Sequence, residues 1–202
     1  MKKRVAVGIL FLCACGMFAQ KTKVQQGDFE FLKRQSEINV EFVYDNLKLF
    51  KENKTNEEYM SEKVAELEAE EKGSGIAWKQ KWMSSRESIY ERKFLELLNE
   101  DMKQKTGLVF GKNLSNAPIT LIVETLWVYP GWNVVAMKKK AKVTTMLTFV
   151  KTGNPDQVLL QILSEEAPGK QYWGAYNDWD RIGEGYAKTG KELNKMVRKE
   201  AF

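Results

Sequence analysis

The sequence predicts an α+β fold: a single sheet of about five mostly antiparallel strands with helices packed on one face, in the order β-α-α-β-β-β-β-α. Three observations predict it. Residues 38–44 alternate apolar and polar side chains with a period of two, which is the pattern of a strand with one buried face. Residues 90–105 and 178–199 instead space their apolar residues by three and four, as a helix with one buried stripe does. Between them, residues 107–163 break into short apolar runs divided by Gly, Pro and Asn.

In chain order, residues 1–20 read as a cleavable signal peptide. Lys2, Lys3 and Arg4 form a positive start, Val5 to Ala14 an apolar run, and Gly16 and Ala19 the small residues near a cleavage point. That run of about ten residues falls short of the roughly 20 that a membrane-spanning helix needs, so no permanent anchor is expected. Two processing routes are open. Met17-Phe18-Ala19-Gln20 suits cleavage after Ala19, whereas Leu12-Cys13-Ala14-Cys15-Gly16 suits cleavage before Cys15 and lipidation of that cysteine. The protein is expected to be exported to the periplasm or the extracellular space, or to be tethered to a membrane through Cys15.

Residues 21–202 are expected to form one α+β domain that opens with a polar leader, 21–36. Ile38, Val40, Phe42 and Tyr44 then mark the first strand. Thr55-Asn56-Glu57-Glu58 has the spacing of a capping box, with Thr55 at the cap and Glu58 reaching back, so a helix starts near Asn56. The helical region runs over 56–105, is interrupted at Gly73-Ser74-Gly75, and closes at Gly107. Phe94, Leu97, Leu98 and Met102 form its buried stripe, while the more charged early part is expected to project outward.

The strand meander over 107–163 comprises Leu108–Gly111, Ile119–Tyr129, Ala141–Lys151 and Gln157–Leu163. Gly153-Asn154-Pro155-Asp156 supplies a tight hairpin connection, and Lys138-Lys139-Lys140 a solvated hairpin tip. A last helix over 178–199 aligns Trp179, Ile182, Tyr186, Leu193 and Val197, with lysines and Arg198 toward its C-terminal end, where cations suit the helix dipole. Gly183, Gly185 and Gly190 weaken it by up to about 1 kcal/mol each relative to Ala. Such a helix is expected to approach the sheet closely.

The composition excludes several chemistries. There is no histidine, and the two cysteines both precede Gln20, which leaves the remaining chain without the usual general base, a thiol nucleophile or a Cys/His zinc site. A catalytic role would require a carboxylate pair or a Ser/Lys or Tyr/Lys arrangement; no motif for either is found, and most acids sit in polar runs that read as solvated helix faces. Neither Gly183-Glu184-Gly185 nor Gly73-Ser74-Gly75 continues as a phosphate loop. The net charge of +5 is partly owed to Lys2, Lys3 and Arg4; beyond residue 20 there are 29 basic and 27 acidic residues. This is not the basic excess of a nucleic-acid binder. No cofactor and no metal are expected, and catalysis is not expected.

The chain resembles a group of uncharacterised secreted proteins of Bacteroidetes. The resemblance rests on Phe18-Ala19-Gln20-Lys21, Phe31-Leu32-Lys33 ahead of Ile38-Asn39-Val40-Glu41-Phe42, Thr120-Leu121-Ile122-Val123, Tyr129-Pro130-Gly131-Trp132-Asn133, and Tyr186-Ala187-Lys188-Thr189-Gly190-Lys191. It implies no activity and assigns no site residues. In element order alone, the chain is also similar to the N-terminal domain of TolB-like proteins and to curli-secretion lipoproteins, a likeness that does not fix function.

The unusual local chemistry is aromatic. Trp127, Tyr129 and Trp132 flank Pro130-Gly131, while Tyr172, Trp173, Tyr176 and Trp179 precede or open the last helix. Trp127 and Tyr129 share a strand face and are expected to form part of the sheet core. Trp132 and Trp173 are the rings least explained by packing of elements. Together with Tyr129, Tyr172 and Tyr176 they form the candidate surface for a ligand or partner. The expected function is that of a non-enzymatic accessory protein of the envelope or of the secreted fraction, a module that binds another envelope protein; the alternative is a carbohydrate-binding module that uses these loop aromatics.

Overall fold

The structure is a computed structural model, and it describes residues 20–134, 137–169 and 177–202. Cys15 and the rest of the expected signal peptide up to residue 19 lie outside the described residues. So do Tyr172, Trp173 and Tyr176.

One mixed sheet contains β1 (Lys21–Gly27), β2 (Glu37–Val43), β3 (Lys48–Leu49), β4 (Lys54–Thr55), β5 (Val109–Gly111), β6 (Ile119–Tyr129), β9 (Lys142–Lys151) and β10 (Asn154–Pro168). A separate hairpin pairs β7 (Trp132–Val134) with β8 (Met137–Lys139). The helices are α1 (Asn56–Glu70), α2 (Ser74–Ser85), α3 (Arg92–Leu98), α4 (Met102–Thr106) and α5 (Asp178–Glu200), and a π-helical segment, Arg86–Glu91, joins α2 to α3. The α+β class holds. The strand count does not: the sheet has eight strands instead of about five.

The strand order is β1-β10-β9-β6-β2-β5, with β3 beside β6 and β4 beside β3. The expected meander survives as β6, β9 and β10, each antiparallel to the next. β5 is not part of it. β2 lies between β5 and β6 and is parallel to both, with Ile38 opposite Phe110 and Val40 opposite Leu121. The helical region separates β2 from β5, and parallel strands require a long crossover of that kind. The chain therefore crosses over with its helices and returns parallel.

The polar leader contains a strand that the alternation did not reveal. β1 is antiparallel to β10 and forms one edge of the sheet, with most of its side chains exposed. Edge strands need no buried face, because the ladder of backbone hydrogen bonds holds them. A 3-10 turn over Glu30–Arg34 then buries Leu32.

The core lies between one face of the sheet and the helices. Ile38, Val40, Leu121, Val123, Leu147, Phe149, Leu160 and Ile162 meet Phe94, Leu98, Met102, Ile182, Tyr186, Leu193 and Val197, all of them buried. α5 crosses α3 closely. A Cβ built on Gly190 would sit 2.2 Å from the Phe94 carbonyl oxygen, a separation that only glycine permits. Of the three glycines of the last helix, Gly185 makes the expected approach to the sheet, against Val143 and Ala167, whereas Gly183 and Gly190 make room for Ile89, Lys93 and Phe94 of the neighbouring helical segments.

A row of hydroxyls runs across this face under α5. Thr22, Ser164, Thr145 and Thr125 are successive cross-strand partners on β1, β10, β9 and β6. Thr125 Oγ1 and the Tyr186 hydroxyl are 2.5 Å apart, Ser164 Oγ accepts from Gln20 Nε2 at 2.8 Å, and Thr189 Oγ1 donates to the Gly185 carbonyl at 3.1 Å. Thr145 Oγ1 and the Tyr90 hydroxyl are buried with no hydrogen-bond partner among the described residues. Burial raises the Tyr186 and Tyr90 phenols well above their ordinary range, so both stay protonated.

α1 and α2 form a hairpin anchored mainly at one end. α1 starts where the capping box predicts: Thr55 Oγ1 accepts from the Glu58 amide at 3.2 Å, and the Glu58 carboxylate accepts from the Thr55 amide at 2.7 Å. Tyr59, Trp78 and Trp82 pack together at the base. Trp78 and Trp82 stack at 5.4 Å, and Trp82 Nε1 donates to Asn56 Oδ1 at 3.0 Å. Farther out, Ile76 is exposed.

Candidate functional site

The site forms where the base of α1 meets the start of α5. A β-bulge in β6 prepares it. Up to Thr125 the odd-numbered residues of β6 face the helices, but the register shifts between Thr125 and Trp127, and Val128 takes the buried position. Trp127 and Tyr129 therefore turn to the opposite face. They are half-buried, their rings stack at 6.3 Å, and neither belongs to the core, contrary to expectation. One inserted residue reverses the facing of everything after it.

Beyond Tyr129 the chain turns at Pro130-Gly131. Gly131 has φ of +71°, and a Cβ there would lie 2.4 Å from the Lys139 carbonyl oxygen. The turn delivers Trp132 into β7, where it pairs with Lys139 of β8 and remains 37% exposed. Lys138 and Lys139 thus lie in a strand and not at a hairpin tip. Lys139 Nζ sits 4.9 Å from the center of the Tyr129 ring, a cation–π contact.

Trp132 stands at a cleft of about 420 Å³ that is also lined by Phe50, Tyr59, Lys63, Glu66, Pro130, Asp178 and Arg181. This volume is within the range of ordinary ligand sites. Phe50 is held with φ of +59° just after β3, and its ring meets Tyr59 edge-on at 5.2 Å and Tyr129 at 5.8 Å. Three aromatic side chains therefore contribute to its lining, and Tyr129 supports Phe50 from behind.

The polar part of the lining is charge-balanced. Arg181 is buried, forms an ion pair with Asp178 Oδ1, and donates from Nε to the Pro130 carbonyl at 3.2 Å. Asp178 Oδ2 has no hydrogen-bond partner among the described residues. Lys63 pairs with Glu66 at 2.9 Å. Burial raises the Asp178 carboxyl above its usual value, while Arg181 and Lys63 pull it the other way. Burial also raises the Tyr59 phenol, and the Asp178 charge adds to that.

A carboxylate-pair mechanism needs two acids facing one bond, the acid partner with a raised pKa. In this cleft only Asp178 is substantially buried, while Glu66 is 56% exposed and tied to Lys63. Among the described residues, no group of three or more Asp, Glu, Cys or His is placed to hold a metal ion. No described helix is long and apolar enough to cross a membrane.

Of the predicted site residues, the structure places Trp132 at the cleft and Tyr129 behind it. Phe50, Tyr59, Asp178 and Arg181 were not anticipated. A signal existed for two of them: Tyr59 is an aromatic residue in an otherwise charged helix start, and Arg181 falls next to Ile182 on the buried stripe of α5.

No protein-family model matches the chain, and no curated protein sequence matches it. Among solved structures, the chain is similar to two crystal forms of the PelC dodecamer from Paraburkholderia phytofirmans, one of them a point variant. The identities are 10% and 11%, the TM-scores 0.40 and 0.39, and each match covers 91% of this chain and 99% of the other. At those TM-scores the likeness carries no argument.

Proposed function

We propose that this protein is an exported, non-catalytic binding module, an accessory of the cell envelope or of the secreted fraction, whose recognition surface is the Trp132 cleft. The observation that carries the reading is the cleft itself: an exposed tryptophan in a short hairpin beside two further rings and a partly buried ion pair. Exposed aromatic anchors over a partly desolvated polar pocket are what recognition sites use. Export rests on the signal-like residues 1–20.

The first reading of the ligand is a segment of another envelope protein. The test is crosslinking and co-purification from native envelope extracts, comparing the wild type with a folded Trp132→Ala variant. One partner recovered by the wild type and lost by the variant supports the module; recovery that is unchanged in the variant removes the cleft from the reading. A second reading, an oligosaccharide in the same cleft, is favoured by the pairing of ring faces with hydrogen-bonding groups of both kinds.

A further inference from the structure

The cleft also carries information about the chemistry of its occupant. Lys63 and Arg181 supply two positive charges, Glu66 and Asp178 two negative ones, and each cation is paired with an acid inside the cleft. Among the described residues the polar lining therefore has no excess charge with which to select an ion. It does have unused hydrogen-bonding capacity. Asp178 Oδ2 can accept, and an ammonium such as that of Lys63 has three donor hydrogens. Asp178 is half-buried and Arg181 is fully so, so a hydrogen bond offered by this pair is made away from bulk water and gains strength from it. Phe50, Tyr59 and Trp132 add apolar ring surface around the same space.

Such a lining discriminates by charge as well as by shape. A polyanion would bring its carboxylates against Asp178 and Glu66. A polyamine would bring its ammonium groups against Lys63 and Arg181. In either case like charges would meet in the cleft, which disfavours the charged ligand. An uncharged polyol ring meets neither penalty: its hydroxyls donate to Asp178 and accept from Lys63, and its C–H face lies on an aromatic ring. Taking the second of the two ligand readings, we infer that the occupant of the Trp132 cleft is a neutral hexopyranose unit of a glycan chain, held by stacking on Trp132 and by a hydroxyl donating to Asp178 Oδ2. This rests on the reading of the cleft as a recognition surface.

The test titrates residues 20–202, the chain expected after cleavage behind Ala19, with hexasaccharides of defined charge. Cellohexaose, maltohexaose and mannohexaose are the neutral probes, hexagalacturonate is the anionic one, and a fully deacetylated chitosan hexamer is the cationic one. Tryptophan fluorescence and calorimetry give independent readouts. Saturable binding is expected for at least one neutral hexamer, at least tenfold tighter than for either charged one. Trp132→Ala should weaken it at least tenfold, and Trp132→Phe, which keeps a ring, should restore most of the affinity. Because Trp132 is exposed, both variants are expected to fold, and circular dichroism checks this. Tighter binding of a charged hexamer, a flat response to all three neutral ones, or unchanged affinity in Trp132→Ala overturns the inference. A flat response together with a protein partner that Trp132→Ala loses would overturn the sugar and leave the binding module standing.

Discussion

Helix α5 buries ten of its 23 residues, from Arg181 to Val197, whereas α1, with 15 residues, buries only Asn56 and Tyr59. Both sequences are rich in charge, yet they are held in different ways. α5 is stabilised by its fit: a continuous stripe against the sheet and α3, glycines that let backbones touch, and the Lys93–Glu184 ion pair across to α3. α1 is stabilised by local devices: its capping box, surface ion pairs such as Lys63–Glu66, and a partner helix. Surface ion pairs contribute at most about 1 kcal/mol each, so the hairpin is the softer of the two regions. The cleft spans both, with Asp178 and Arg181 on the firm side and Tyr59, Lys63 and Glu66 on the soft one.

The comparison can be broken at its firm end first. Helix propensity alone says that Gly190→Ala should stabilise α5 by about 1 kcal/mol. The collision with the Phe94 carbonyl oxygen says the opposite, and a loss of about 3 kcal/mol is expected in urea unfolding, the upper end of overpacking costs. A gain would show that α5 is not tightly seated.

At the base of the hairpin, Trp82→Phe removes the donor to the buried Asn56 side chain. About 1–3 kcal/mol should be lost, with faster amide exchange in α1 than in α5. Equal acceleration of both helices would erase the distinction between the regions. Thr55→Ala removes the cap and should cost about 1 kcal/mol, most of which Thr55→Ser restores. The smallest effect belongs to the outer end, where Ile76→Ser should change stability by less than about 0.5 kcal/mol. A larger loss there would mean that Ile76 is covered in solution.

What could be read from the chain beforehand follows the same division between local and non-local causes. The start of α1 was readable because a capping box is four adjacent residues. β2, β6 and β9 were readable because alternation is a property of one strand. β1 was not, since Lys21-Thr22-Lys23-Val24-Gln25-Gln26-Gly27 holds one large apolar residue and owes its place to the backbone of β10. β10 itself runs on to Pro168 past the apolar run that announced it, because its last residues pair with β9 irrespective of their side chains. The parallel placement of β2 depends on what happens some seventy residues later, and no local pattern records it.

The site divides likewise. Trp132 stood out because a ring after Pro-Gly has no element to pack in. Phe50 and Asp178 did not stand out, because only the folded chain brings residues 50, 59, 132, 178 and 181 to one cleft. The bulge that turns Trp127 and Tyr129 over is also silent in sequence, since period two looks the same on either face.

The pairing of the first strand with the last has a consequence for the order of assembly. The hydrogen bond from Gln20 to Ser164 spans 144 residues, and among the described residues β1 pairs with β10 alone. A chain that emerges from its N-terminus outward makes β1 first and its partner almost last. Closing so long a loop costs entropy before any contact repays it, and contacts of such separation slow folding. β1 therefore waits unpaired while β6, β9 and β10 form from neighbouring segments, and it closes the sheet as a late step. Refolding should show this as a slow phase reported by the amides of residues 21–27, lagging behind those of residues 142–151.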